Sequence, residues 1–195
     1  MDDGGGGRLE VIAGPMFAGK TEELVRRVHR ARIARRGVLV VGHALDTRSG
    51  PGRVASHSGL ELPSRSVRSA QEVPGLVEAG TELVAVDEAQ FFGPDLVDVV
   101  TPLADAGLVV VVAGLSVTFD GRPFAPLPAL MAVAESVTKL TAVCAVCGRD
   151  AAFHVRLGGV RAGRPGGDAD ALAPAAGHVG GTESYEARCR RHRAG

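Results

Sequence analysis

Tryptophan is absent from this sequence, tyrosine occurs once, at Tyr185, and phenylalanine only six times. With so few rings, their positions carry information. Lysine is almost as scarce: of 22 Lys and Arg residues only Lys20 and Lys139 are lysines. A position that keeps lysine therefore asks for a compact ammonium rather than a guanidinium fork. Excess charge is missing too, since Lys+Arg and Asp+Glu both total 22. That balance supplies no basic field to gather nucleic acid or an anionic membrane, and neither partner is expected. The longest apolar run, residues 107–115, falls far short of the roughly 20 residues a spanning helix needs. The leader MDDGGGGR is acidic and glycine-rich, unlike a signal peptide, so a cytoplasmic protein is expected. Only three cysteines are present, Cys144, Cys147 and Cys189. They cannot all pair within one chain, and a reducing cytosol discourages disulfides, so their spacing has another meaning.

What is present suits one α/β unit with a small lobe, at 195 residues and 45% hydrophobic content. Residues 9–13 read as a buried strand running into a glycine-containing loop, and 21–36 as a helix with Leu24, Val25, Val28, Ala31 and Ile33 on its apolar face. Gly37 is expected to end that helix, with a strand over 38–41. Residues 43–64 are polar and rich in Gly, Pro and Ser, a long loop with room for a hairpin. Further on, 83–86 reads as a strand, 94–106 as a helix and 109–115 as a strand covered on both faces. A helix over 127–136 and a strand over 139–143 lead to the first cysteine pair. Alternating strands and helices predict a parallel sheet flanked by crossover helices. Residues 158–181 turn Gly/Ala/Pro/Asp-rich without periodicity and are expected as loop. The expected division is a leader over 1–8, an α/β unit over 9–140 and a C-terminal lobe over 141–195.

Three constellations carry chemistry. Gly14, Pro15, Met16, Phe17, Ala18, Gly19, Lys20 and Thr21 satisfy the phosphate-loop pattern between an expected strand and helix. Backbone N–H groups of such a turn hold phosphate oxygens, Lys20 meets the β- and γ-phosphates, and the Thr21 hydroxyl ligates Mg²⁺. The plain alternative is a glycine turn that binds nothing. Against it, one of the two lysines stands where this chemistry demands it. Second, the apolar strand 83–86 ends in Asp87 and Glu88, beyond the carboxyl end of a parallel strand and so toward the same crevice. Asp87 suits the metal, and Glu88 can take a proton from a nucleophile. Its alternative is an acid pair at a helix start. Third, Cys144-x-x-Cys147 and Cys189-x-x-His192 form two knuckles fit for one tetrahedral Zn²⁺, a closed and therefore structural site. A redox C-x-x-C is the rival, and it leaves Cys189 and His192 unexplained. The zinc is expected to tie the ends of the glycine-rich segment together, so that its ligation links to the order of that segment rather than to the phosphate loop.

Phe91, Phe92, Phe119, Phe124 and Tyr185 fall near these constellations, as rings around the mouth for a flat heterocycle would. For any single one of them, packing under loops is the better explanation. Taken together, GPMFAGKTEELVRRV, VDEAQFF, AESVTKLTAVCAVCG and GGTESYEARCRRH resemble the motifs of the type II, zinc-containing thymidine kinases, in order and across nearly the whole chain. The resemblance implies a P-loop NTPase-like kinase fold with a zinc lobe carrying a lasso loop. It also implies transfer of the γ-phosphate of ATP to the 5′-hydroxyl of thymidine. Glu88 would be the catalytic base, with Asp87, Ala89 and Gln90 joining Gly14 to Thr21 around ATP, and Thr21 and Asp87 holding Mg²⁺. Met16, Phe91, Leu115, Phe119, Phe124, His154, Val179, Gly180, Gly181 and Tyr185 would surround thymidine. Also implied are a homotetramer, feedback inhibition by dTTP, and a role near the site for Asp46, Thr47 and Arg48. Ala18, Ser58 and Ser116 depart from the family's usual residues, which puts specificity rather than the reaction in question. A motor ATPase shares an acidic box like Asp87-Glu88-Ala89-Gln90, but it needs a second core domain for which this chain is too short. A non-catalytic nucleotide-binding regulator would have no use for Glu88.

Overall fold

A computed structural model describes residues 6–46, 52–55, 61–157 and 184–193. In chain order the strands are β1 (Arg8–Gly14), β2 (Gly37–His43), β3 (Arg53–Ala55), β4 (Glu61–Pro63), β5 (Arg65–Val67), β6 (Thr81–Val86), β7 (Val109–Leu115), β8 (Ser136–Lys139), β9 (Ala142–Val143), β10 (Asp150–Ala151), β11 (Phe153–Arg156) and β12 (Tyr185–Arg188). The helices are α1 (Lys20–Ile33), α2 (Asp95–Asp105) and α3 (Leu127–Val133). Six strands, in the spatial order β5, β2, β6, β7, β1, β8, form one sheet in which every neighbouring pair is parallel. This is the parallel α/β architecture expected from the alternating pattern.

Strand side chains alternate between faces, so a sheet sandwiched by helices needs apolar residues at consecutive positions. Val110 and Val112 of β7 join Leu96 and Val100 of α2 and Leu127 and Leu130 of α3 in one core. Val109, Val111 and Ala113 join Leu24, Val25 and Val28 of α1 in the other. Every residue of β7 is accordingly buried. Truncating Leu24 or Leu96, both fully buried, would cost about 2–5 kcal/mol.

Several expectations shift. Helix α1 stops at Ile33, short of residue 36, because Arg35 adopts a left-handed conformation at φ 59° and turns the chain. Gly37 does not end the helix; it opens β2, where a Cβ would lie 2.0 Å from the Gly80 carbonyl oxygen. Helix α3 ends at Val133, since residues 136–139 pair with β1 as the edge strand β8. The expected strand 139–143 is thus two pieces, β8 in the main sheet and β9 outside it. Within the loop 43–64, β3 and β4 form an antiparallel hairpin. Two small antiparallel pairs, β9 with β10 and β11 with β12, build the C-terminal lobe. The residues 47, 48, 58 and 179–181 singled out above lie outside the described residues.

Candidate active site and metal centre

Because the sheet is parallel, the loops after β1, β2, β6 and β7 all leave from one edge. The β1 loop carries Gly14 to Lys20. Gly14 is required where it stands, since a Cβ would meet the Leu140 carbonyl oxygen at 2.8 Å. Gly19 closes the loop at φ 78°, and α1 starts at Lys20. Lys20 is buried, and its Nζ donates to the Pro15 carbonyl at 2.7 Å, across the mouth of the loop.

Strand β6 delivers the acid pair. Its last pairing continues past the strand, with the Asp87 N–H donating to Val41 O at 3.0 Å, which fixes Asp87 at the edge. The Thr21 hydroxyl donates to Asp87 Oδ2 at 3.0 Å, so the first turn of α1 meets the end of β6. Two oxygen donors this close suit a hard divalent cation. Asp87 Oδ1 accepts the Glu88 N–H at 2.9 Å. Glu88 is buried and sits in the left-handed region at φ 51°, ψ 48°, a conformation a side-chain-bearing residue keeps only when its surroundings enforce it. One enforcing group is Gln90, whose amide donates to Glu88 Oε2 and whose carbonyl oxygen accepts the Leu115 N–H at 3.0 Å. Ala89 is packed in the core beside Val86 and Leu127. Sequence reasoning grouped Ala89 and Gln90 with the nucleotide. Gln90 ties Glu88 to the end of β7.

Met16, Leu115, Phe124 and Tyr185 form one apolar cluster, with Phe17 and Phe119 against it. The His154 ring lies edge-on to Tyr185, with centroids 5.8 Å apart. Burial pushes the Tyr185 phenol up, so it stays neutral. The Phe91 ring lies 5.9 Å from the His43 ring. His43, at the end of β2, is a residue the sequence reading missed. It packs edge-on to Phe92 at 4.8 Å, shares a 3.1 Å hydrogen bond with Arg68 O, and accepts the Leu45 N–H at 3.1 Å. Burial lowers its pKa, outweighing the Arg68 carbonyl and Glu72, which favour the charged form. A polar residue closing the apolar run VLVVGH was the available signal. Asp46 follows one turn later, its N–H donating to His43 O at 2.9 Å. Ser116 donates its N–H to Gly14 O at 3.1 Å, and its hydroxyl is buried without a hydrogen-bond partner among the described residues.

The four sulfur and nitrogen ligands converge. One ligand atom each from Cys144, Cys147, Cys189 and His192 lie within 4.8 Å of one another. Cys147 Sγ is 3.8 Å from Cys189 Sγ, and His192 Nδ1 is 3.7 and 3.3 Å from the sulfurs of Cys144 and Cys189. A tetrahedral ion with bonds of about 2.0–2.3 Å places its ligands about 3.3–3.8 Å apart, so the donor set fits a metal of zinc's size and softness. Burial alone would raise the Cys144 thiol, but the N–H groups of Cys189, Val146 and Cys147 and the His192 ring bring it down to about 5, the thiolate a metal requires. The lobe touches more than its own ends. Phe17 and Ala18 pack against the cluster that contains Cys144 and Cys189, and the Met16 N–H donates to His154 Nδ1 at 3.4 Å. The metal centre is therefore packed against the phosphate loop.

A family model described as thymidine kinase matches residues 7–193. A thymidine kinase of Bdellovibrio bacteriovorus is 45% identical over 186 residues, covering 95% of this chain and 85% of the relative. One from Deinococcus radiodurans is 46% identical over 200 residues, covering 97% and 91%.

Proposed function

The chain belongs to the thymidine kinase family, and from that membership we propose how its own residues carry the transfer of the γ-phosphate of ATP to the 5′-hydroxyl of thymidine. The observation that carries the assignment of roles is the hydrogen bond from Thr21 to Asp87, which joins the phosphate loop to the acid pair at one sheet edge. In this reading the amides of the loop and Lys20 bind the β- and γ-phosphates. Thr21 and Asp87 would hold Mg²⁺, which when bound offsets phosphate charge. Glu88 accepts the 5′-hydroxyl proton as the oxygen bonds to the γ-phosphorus and ADP departs with the former bridging oxygen. Met16, Leu115, Phe119, Phe124 and Tyr185 offer flat apolar walls for thymine. Residues 179–181 would add backbone hydrogen bonds to the base.

The functional division is a kinase part over 9–140 and a lobe over 141–195, stapled by zinc on Cys144, Cys147, Cys189 and His192. A cytoplasmic homotetramer inhibited by dTTP completes the proposal. No helix among the described residues is long and apolar enough to cross a membrane. A screen of nucleosides with ATP and Mg²⁺, reading out the monophosphate formed, tests it. Thymidine should give dTMP with one ADP per turnover. ATP hydrolysis without a phosphorylated nucleoside would reject it.

A further inference from the structure

We propose that the metal-binding lobe positions the phosphate loop, with His154 and Phe17 as the two attachment points, so that occupancy of the Cys144, Cys147, Cys189 and His192 cluster sets affinity for the nucleotide. The proposal rests on the kinase reading of Gly14 to Thr21 and concerns what holds that loop in shape.

Start from the loop's own resources. Pro15 has no N–H, and the Met16 N–H is committed to His154 Nδ1 at 3.4 Å. The next residue of the loop is Phe17. That residue is in the left-handed region at φ 65°, the conformation that turns successive N–H groups toward one point and that a bulky side chain adopts only under constraint. The constraint comes from the lobe. The Phe17 side chain packs on two clusters at once, one with Cys144, Ala151, Ala187 and Cys189, the other with Met16 and Tyr185. Among the described residues no other is common to both. Ala18 rests on the first.

The attachment leads straight to the metal ligands. His154 is 1% exposed on β11, in register with Ala187 of β12. Ala187 accepts the Ala145 N–H at 3.0 Å, between the two ligands of the first knuckle, and Cys189 follows β12 directly. At the lobe's entrance, the Leu140 N–H donates to Ala13 O at 2.8 Å, one residue before the loop. Releasing the metal would let the Cys144 and Cys189 knuckles separate. Phe17 would then lose one of its two supports, and the loop's left-handed turn would relax. His154 is thus a positioning residue, acting on phosphates through Met16.

The test measures nucleotide binding by the full chain without thymidine, using a fluorescent ATP analogue with Mg²⁺. Three samples are compared with the metal-loaded protein: chelator-stripped protein, His154→Leu, and His154→Asn, whose Oδ1 can take the place of Nδ1. Stripping and His154→Leu should each weaken binding about 2- to 30-fold, the range of couplings carried through packed networks. His154→Asn should recover most of the loss, and metal content should be unchanged in both variants. In kinetics His154→Leu should raise KM for ATP more than KM for thymidine. Should the variants fold poorly, hydrogen exchange of the wild-type amides at residues 16–20 decides, since faster exchange after stripping is expected. Analogue binding and loop exchange that ignore the metal, or a His154→Leu loss confined to thymidine, overturn the proposal. A metal-loaded wild type that binds no ATP analogue would instead reject the kinase reading itself.

Discussion

Gln90 bridges Glu88 and the end of β7, donating to Glu88 Oε2 and accepting the Leu115 N–H at 3.0 Å. The carboxylate proposed as base is thereby held at a fixed bearing to Leu115, a wall of the apolar cluster. Gln90→Ala frees that carboxylate and leaves a buried N–H without its acceptor. It should lower kcat roughly 10- to 100-fold, part of the 10²–10⁴ that a positioned base contributes, while KM for ATP changes little. Steady-state kinetics at saturating ATP checks this. A normal kcat with a raised KM for ATP would return Gln90 to the nucleotide.

Glu88 itself should separate chemistry from binding. Glu88→Gln keeps shape and removes the proton acceptor, so kcat should fall about 10²- to 10⁴-fold with ATP affinity retained. Single-turnover phosphoryl transfer alongside ATP titration gives both numbers. Equal loss of the two would mean that Glu88 serves the phosphates or the metal.

The Thr21 hydroxyl and Asp87 stand 3.0 Å apart as hard oxygen donors. Thr21→Val, nearly isosteric, should raise the Mg²⁺ concentration needed for half-maximal activity by roughly tenfold, the factor a lost interaction of about 1.4 kcal/mol produces. Thr21→Ser should remain close to wild type. The measurement is a Mg²⁺ titration at fixed ATP, and indifference to Thr21→Val would detach Thr21 from the cation.

Much of this was legible in the sequence because the signals are local. The phosphate loop needs glycine and lysine at fixed spacing, β7 needs an apolar residue at every position, and the zinc knuckles need two residues between ligands. What escaped depends on neighbours distant in the chain. Gly37 looked like a helix stop, yet its reason is the Gly80 carbonyl in the turn before β6. The sequence pattern ends a helix at 136 and begins a strand at 139, yet 136–139 together pair with β1, which had an open edge to fill. Gln90 sat in a nucleotide motif, and only coordinates reveal that its amide faces Glu88 and Leu115. His43 and the contact of Phe17 with the metal lobe are likewise products of tertiary packing.

His43 yields a pH prediction. Burial lowers its folded pKa, so the neutral ring is the form that packs on Phe91 and Phe92. Its contribution to stability is complete above the ordinary value of about 6.5 and is lost as pH falls toward the folded value, where the unfolded chain binds a proton that the folded one refuses. The ring resonances of His43 should titrate with a midpoint below about 6.5. A midpoint above that value would reverse the sign of the effect.

Gly114 offers a way to press on the Gln90 bridge without touching it. A Cβ at this position would lie 2.7 Å from Leu127 Cδ2, 3.0 Å from Ala89 Cβ and 3.1 Å from Gln90 Oε1. The leucine methyl can swing aside, but the Gln90 carbonyl is pinned by the Leu115 N–H and can move only by letting go of it. Gly114→Ala should therefore destabilise the fold by about 1–3 kcal/mol, as overpacking does, and should also lower kcat. If the kinetic effect travels through Gln90, it should nearly vanish when Gln90 is already alanine, because mutations on one network are not additive. A double-mutant cycle in kcat reads this directly: additive losses would place the damage in Leu127 and the core, and leave Gln90 out of the control of Glu88.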